Sequence, residues 1–222
     1  MPVYININTV SEFVCLFVSL ICLYKDKDPV WRALIFFLLV TCAVEVAGIH
    51  LRKELHRPNF MLYNIFLIVE CFIQSYFFYH LIKVYKDKAM VLVIWIVLFL
   101  LCYFTELYKN HLGGFVFQTS SLMSVMLVLA GVYFNYLVLK DERFKRLSTD
   151  ASFWWVSGTL CFYFGSTACN IFFEYLVHDK TPAISHSVRY IVFNILNIVL
   201  YLNWSYAFIC RYRQRISSSS SD

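Results

Sequence analysis

An all-α bundle of seven transmembrane helices is the fold the sequence predicts, and three observations carry that expectation. Hydrophobic residues make up 60 % of the 222-residue chain and charged residues 15 %, against about 45–50 % and 25 % in soluble domains. Mean hydropathy is +0.65. The apolar residues fall in seven runs of 19 to 26 residues, and no stretch outside them exceeds a dozen. Roughly 17 to 25 residues of helix cross a bilayer, so each run is one span and no room is left for a soluble domain.

The first span is Val3 to Tyr24. Its start, MPVYININTV, lacks the basic segment and small-residue cleavage site of a signal peptide, so it is expected to stay in the mature chain. The second, Val30 to Leu51, places Thr41 and Glu45 on one face. The third, Asn59 to Ile82, has Glu70 at its centre. As a helix it is about 36 Å long, which puts that carboxylate about 17 Å from either end. An ionisable group at such depth costs roughly 2.5 to 3.5 kcal/mol, and it marks a functional site by default. Tyr63, Glu70 and Gln74 share a face there, and Asn64 lies beside them.

The fourth span is Met90 to Tyr108 and the fifth Gly114 to Leu139. The sixth, Ala151 to Leu176, spaces Tyr163, Ser166, Asn170 and Glu174 at i, i+3, i+7 and i+11. The seventh, His186 to Cys210, spaces Tyr190, Asn194, Asn197 and Tyr201 at i, i+4, i+7 and i+11. Such stripes face the interior of a bundle. All four prolines fall at span ends or in loops, so none breaks a span as in many ion-coupled transporters. Residues 1–215 therefore form the transmembrane domain, and the Ser-rich tail 216–222 is expected to be disordered.

Charge sets the orientation. Lys25, Lys27, Arg32, Lys83, Lys86, Lys88, Lys140, Arg143, Lys145, Arg146, Arg211, Arg213 and Arg215 put 13 positives on one side, against six on the other: Arg52, Lys53, Arg57, Lys109, Lys180 and Arg189. Cytoplasmic loops hold the excess, so the N-terminus is expected outside and the C-terminus in the cytoplasm. A possible repeat accompanies this topology. Asn64 to Phe78 aligns with Asn194 to Phe208 at seven identities in 15 positions, including Asn64/Asn194, Ser75/Ser205 and Tyr76/Tyr206. Two parallel three-helix units joined by the fourth span, a three-plus-one-plus-three design, fit that pattern.

The polar residues of the spans crowd into the outer half, which predicts an outward-opening polar pocket with Glu70 at its floor. The candidate ligand-binding residues are Glu45, Asn64, Glu70, Gln74, Tyr163, Asn170, Glu174, Asn194 and Asn197. Glu12, Glu106 and Glu174 lie near the expected interface, where a carboxylate reaches water. The eight cysteines sit in or beside apolar runs without a CxxC, as small core residues do. Five of six histidines fall on the outer side, but no HxxxH or HExxH spacing makes a zinc site. No GxSxG, Walker loop or GxGxxG occurs, and the seventh span carries no lysine for a retinal Schiff base. No cofactor, metal or nucleic-acid partner is expected.

Glu45 late in the second span, Tyr63, Asn64 and Glu70 in the third, the FWW…YFG pattern from Phe153 to Gly165 and the Asn-x-x-Asn of Asn194 and Asn197 resemble a group of small bacterial seven-helix membrane proteins of unassigned activity. Related segments are similar to the membrane-embedded input modules of some sensor histidine kinases. The resemblance implies a bacterial inner membrane and a signalling role that needs a separate partner on the cytoplasmic side, since this chain carries no kinase. It supplies no ligand.

The function expected is thus a receptor-like or sensor module in the lipid bilayer, binding a small polar ligand or ion. The alternatives are a small-solute transporter of the three-plus-one-plus-three design and an intramembrane lipid-processing enzyme.

Overall fold

Asn6 sets the start of the first helix. Its Oδ1 accepts the Thr9 amide at 2.8 Å and the Thr9 hydroxyl at 2.9 Å, which satisfies a donor that the first turn leaves open. In the computed structural model, which describes residues 6–110, 114–141, 146–172 and 188–219, the chain then runs through α1 (Ile7–Leu23), α2 (Pro29–Lys53), α3 (Phe60–Lys83), α4 (Ala89–Lys109), α5 (Phe117–Lys140), α6 (Ala151–Ile171) and α7 (Val188–Ser219). Asp28 and Asp150 cap α2 and α6 in the manner of Asn6, accepting from Val30 N and Phe153 N. A 3-10 turn at Leu147–Thr149 completes the regular structure, and no strand occurs among the described residues.

Five of these helices, α2 to α5 and α7, are long and apolar enough to cross a membrane. That is the architecture of a multi-pass helical membrane protein. α1 is apolar but has 17 residues, about 26 Å of helix, because the Asn6 cap starts it later than the apolar run suggests. α6 has the length, but Ser157, Thr159, Ser166, Thr167 and Asn170 dilute its hydropathy. Thr159, Tyr163 and Ser166 turn this polar stripe into the bundle, where they are buried. Large apolar side chains cover the outside, Met90 at 78 % and Leu139 at 80 % exposure among them, a surface suited to lipid rather than water.

The helices close a ring in the order α1, α2, α3, α5, α6, α7 and back to α1, while α4 packs outside it against α3 and α5. α4 buries one stripe, Trp95, Phe99 and Tyr103, at i, i+4 and i+8. Trp95 Nε1 donates to Ser75 Oγ at 2.8 Å and the Tyr103 hydroxyl to the Asn64 carbonyl at 3.3 Å. Gly158 lets α6 and α7 approach closely. A Cβ there would lie 2.7 Å from Cβ of Asn203 and 3.3 Å from the Leu200 carbonyl oxygen.

Several boundaries differ from those expected. α2 extends to Lys53 and α5 begins at Phe117. α6 is described to Ile171, so the last residues of the expected sixth span, Glu174 included, lie outside the described residues. α7 continues to Ser219, so the segment from Ile216 to Ser219 is helical rather than disordered. Tyr206 and Gln214 bond the carbonyls of Ser148 and Thr149, which fastens the helix against the α5–α6 connection before that end.

Candidate functional site

All helices of the ring line one cavity of about 1060 Å³, and α4 contributes nothing to it. It occupies the end of the bundle where α1, α3, α5 and α7 begin and α2, α4 and α6 finish. Helical periodicity does the placing. On α3, Tyr63, Leu67, Glu70 and Gln74 line it, and on α7 Phe193, Asn197, Tyr201 and Trp204 do, each series at the three- and four-residue steps of one helical face. The lining reaches the surface at the exposed Arg52 and Ile171.

Three acidic side chains from three helices meet in this cavity, and each is held by a tyrosine. The Tyr163 hydroxyl of α6 donates to Glu70 Oε1 of α3 at 2.5 Å. That of Tyr63 on α3 donates to Glu45 Oε2 of α2 at 3.0 Å. Tyr201 of α7 reaches Glu12 Oε1 of α1 at 3.4 Å. Three buried acceptors of the lining residues remain open: Asn8 Oδ1, Glu12 Oε2 and Gln74 Oε1 have no hydrogen-bond partner among the described residues. Glu12 is 6 % exposed and Gln74 1 %, so bulk water does not serve them.

Of the residues singled out from sequence, Glu45, Glu70, Gln74, Tyr163, Asn170 and Asn197 line the cavity. Asn64 and Asn194 do not. Asn64 Nδ2 donates to the Gly114 carbonyl at 2.9 Å and its Oδ1 accepts Val116 N at 3.1 Å, so it pins α3 to the start of α5. Asn194 Oδ1 accepts Asn8 Nδ2 at 2.7 Å and ties α7 to α1. Glu174 lies outside the described residues.

Glu12, expected at the watery interface, is instead buried in the cavity wall. Asn8 and Glu12 stand four residues apart on α1, and that i, i+4 spacing was the signal that a polar face existed there. Glu106, also expected to be merely solvated, is a cap. Its carboxylate accepts Gln118 N at 2.9 Å and both Thr119 N and Thr119 Oγ1 at 2.7 Å, so it closes the open donors of α5 from the end of α4.

Past the cavity floor the interior is aromatic. Trp155 lies 4.2 Å from Phe77 and 5.6 Å from Trp204 between ring centroids, and Trp31 meets Phe77 edge-on at 4.9 Å. These rings plug the bundle. Beyond them, at the opposite end, Arg211 of α7 bonds Asp26 in the α1–α2 connection at 2.9 and 3.1 Å, and His80 of α3 bonds Asp28 at 2.9 Å. Burial alone would raise the Asp26 carboxyl, but the hydrogen bond from Arg211, the Asp28 amide and the charges of Arg211 and Arg215 hold it below its ordinary range.

Among the described residues no group of three or more His, Cys, Asp and Glu is placed to hold a metal ion. The cavity can bind and orient; among the described residues no serine or threonine hydroxyl that lines it is hydrogen-bonded to a basic side chain or carboxylate. Comparison with family models, curated proteins and solved structures gives no match for the chain.

Proposed function

We propose that the chain is a seven-span membrane protein, N-terminus outside, that binds a small polar ligand in this cavity and passes its occupancy to a partner protein at the cytoplasmic end. The observation that supports this is the convergence of Glu12, Glu45 and Glu70, each tyrosine-held, on one large cavity. α1 and α6 count as spans in this reading because each sits in the ring between two neighbours. The excess of Lys and Arg gathers at the plugged end, which makes the cavity end external.

α7 supplies the connection. It lines the cavity with Asn197, Tyr201 and Trp204, and two turns after Trp204 it presents Arg211 to Asp26 and, at 5.2 Å, to the Trp31 ring. A ligand that displaces Trp204 acts on that ion pair through a single helix. Exposed Lys25, Lys27, Lys83, Lys86 and Arg213 lie at the same end of the bundle and suit an acidic partner surface. A role of this kind is in keeping with the resemblance to sensor-kinase input modules.

A single cysteine at Asn197, in a variant lacking the eight native ones, tests the arrangement with a membrane-impermeant thiol reagent on intact cells. Labelling from outside is expected. Labelling that appears only after the cells are opened would remove the outward pocket.

A small-solute carrier is the second reading, and the ring order favours it. In that reading the units are α1–α2–α3 and α5–α6–α7 with α4 outside, and the α3–α5 and α7–α1 junctions would correspond in ring position. The aligned pair Asn64 and Asn194 bridges those junctions, to the start of α5 and to Asn8 of α1. Solute uptake into proteoliposomes separates the readings, because a receptor moves nothing across the bilayer.

A further inference from the structure

We infer that the occupant of the cavity is an organic cation bearing N–H groups, a protonated amine with an apolar or aromatic body. This rests on the ligand-binding reading above and narrows it to a chemical class. The formal charge of the described lining comes from three acidic residues, Glu12, Glu45 and Glu70, and one basic residue, Arg52, which is exposed at the rim. Below that rim the described lining carries carboxyl groups and no basic side chain, so an anion finds no positive partner there.

The unpartnered atoms point the same way. Glu12 Oε2 and Gln74 Oε1 are acceptors buried in the wall without partners among the described residues, and a buried acceptor left open costs about 1–3 kcal/mol. Both atoms are shut behind the wall surface, so a donor removes that cost only as the wall opens to it, while the half-buried carboxylates of Glu45 and Glu70 accept from an ammonium directly and are neutralised by it. Gln74 lies one turn beyond Glu70 on α3 and shares its lining face.

Size and lining exclude a bare ion. The cavity, about 1060 Å³, is at the upper end of the range for small-molecule sites of roughly 300–1,000 Å³. Phe37, Phe66, Phe162, Phe193 and Trp204 line it as well. Aromatic faces attract cations through their quadrupole and pack apolar bodies, whereas a desolvated metal ion needs several oxygen or nitrogen ligands at short range. The described residues offer no such group. The carboxylates of Glu45 and Glu70 accept hydrogen bonds, which further distinguishes an amine from a quaternary ammonium that brings charge but no N–H donor.

The probes are butylamine, phenethylamine and spermidine, each against purified protein in nanodiscs, with phenethyl-trimethylammonium, 2-phenylethanol and 3-phenylpropionate as the matched quaternary, neutral and anionic compounds. Intrinsic tryptophan fluorescence reports binding, since Trp204 lines the floor. At least one amine is expected to bind about tenfold or more tightly than the quaternary, neutral and anionic compounds, and Glu70→Gln, Glu12→Gln and Gln74→Leu each to weaken it about tenfold. Unchanged elution on size exclusion shows that the variants fold, and Gln74→Leu repeats the test without touching a carboxylate.

Equal or tighter binding of the alcohol or the propionate overturns the amine assignment and leaves a ligand cavity in place. If none of the probes binds while Asn197→Cys labels from outside, the amine assignment fails alone. If labelling fails as well, both fall. Amine binding that survives all three substitutions places the amine elsewhere and overturns the inference.

Discussion

Arg211 grips the Asp26 carboxylate with two nitrogens, Nε at 2.9 Å and Nη2 at 3.1 Å, across 185 residues of chain. The pair joins the end of the last helix to the connection between the first two. The Asp26 side chain is 1 % exposed and that of Arg211 29 %, so removal of the arginine leaves a buried charge with only Arg215, 3.9 Å away, as substitute. Arg211→Ala should lower stability by on the order of 3 kcal/mol, read as a shift in the SDS or urea midpoint of tryptophan fluorescence. Because the folded Asp26 titrates below its ordinary value of 3.8, its contribution is complete above that value and is lost as pH falls through the lower folded one. Wild type and Asp26→Asn should therefore differ by a constant amount from pH 5 to 8 and converge only in acid. A difference that grew or vanished near neutrality would contradict the sign.

Asn64 of α3 and Asn194 of α7, paired in the sequence alignment, carry different loads. Asn64 satisfies the Val116 amide and the Gly114 carbonyl together, and it is 2 % exposed. Asn194 makes one side-chain bond, to Asn8, and is half-buried. Asn64→Ala strands a buried backbone donor and should cost about 1–3 kcal/mol, whereas Asn194→Ala should cost nearer 0.6, the mean for interhelical bonds in membranes. Equal midpoint shifts for the two would show that the junctions are energetically alike, against this assignment.

Much of this arrangement was legible in the chain because apolar length and periodicity speak directly in a membrane protein. Glu70 had to face inward on cost alone, and it lines the cavity. The stripes on α6 and α7 do so through Tyr163, Asn170, Asn197 and Tyr201. What the pattern does not encode is which inward polar group meets solvent space and which meets another helix. Asn64 stands one position past Tyr63 on α3 and Asn194 one turn before Asn197 on α7, yet backbone groups beside α5 or the Asn8 amide take them up. Glu12 was misplaced for a related reason. Its distance from the chain start suggests an interface, but the Asn6 cap shortens α1, and the polar side of that helix turns toward Tyr201. Partners come from tertiary packing, which periodicity leaves open.

Gly158 and Gly165 both lie where α6 crosses α7, and their substitutions should part in size. At Gly158 an added Cβ meets Cβ of Asn203 at 2.7 Å and a backbone oxygen at 3.3 Å, neither of which can swing aside. At Gly165 it meets Cδ2 and Cδ1 of Leu196 at 2.5 and 2.7 Å, the mobile end of a side chain. Gly158→Ala must push the helices apart and should cost about 1–3 kcal/mol. Gly165→Ala asks only for a new Leu196 rotamer, at about 0.5–1.5 kcal/mol. Comparison of unfolding midpoints decides, and a larger loss at Gly165 would mean that Leu196 has no free rotamer.

Trp155 and Trp204 stack at 5.6 Å with ring planes 10° apart, both at 2 % exposure or less, so phenylalanine at either position leaves a similar void in the plug. Their polar ends differ. Trp204 Nε1 donates to Thr159 Oγ1 at 3.0 Å, and that hydroxyl donates in turn to the Trp155 carbonyl at 2.8 Å. Trp155 Nε1 has no partner among the described residues. Trp204→Phe therefore loses packing and a buried hydrogen bond, while Trp155→Phe loses packing and sheds an unsatisfied donor. The void term is shared, so the difference between the two isolates the polar term. Trp155→Phe should be the milder by about 1 kcal/mol or more, seen as the smaller drop in unfolding midpoint. Thr159→Val tests the assignment from the other side: it removes the acceptor, so in that background the gap between the two substitutions should close. A gap that persists there would mean the rings differ in packing, and the hydrogen bond from Trp204 would lose its place in the account of how the plug is held.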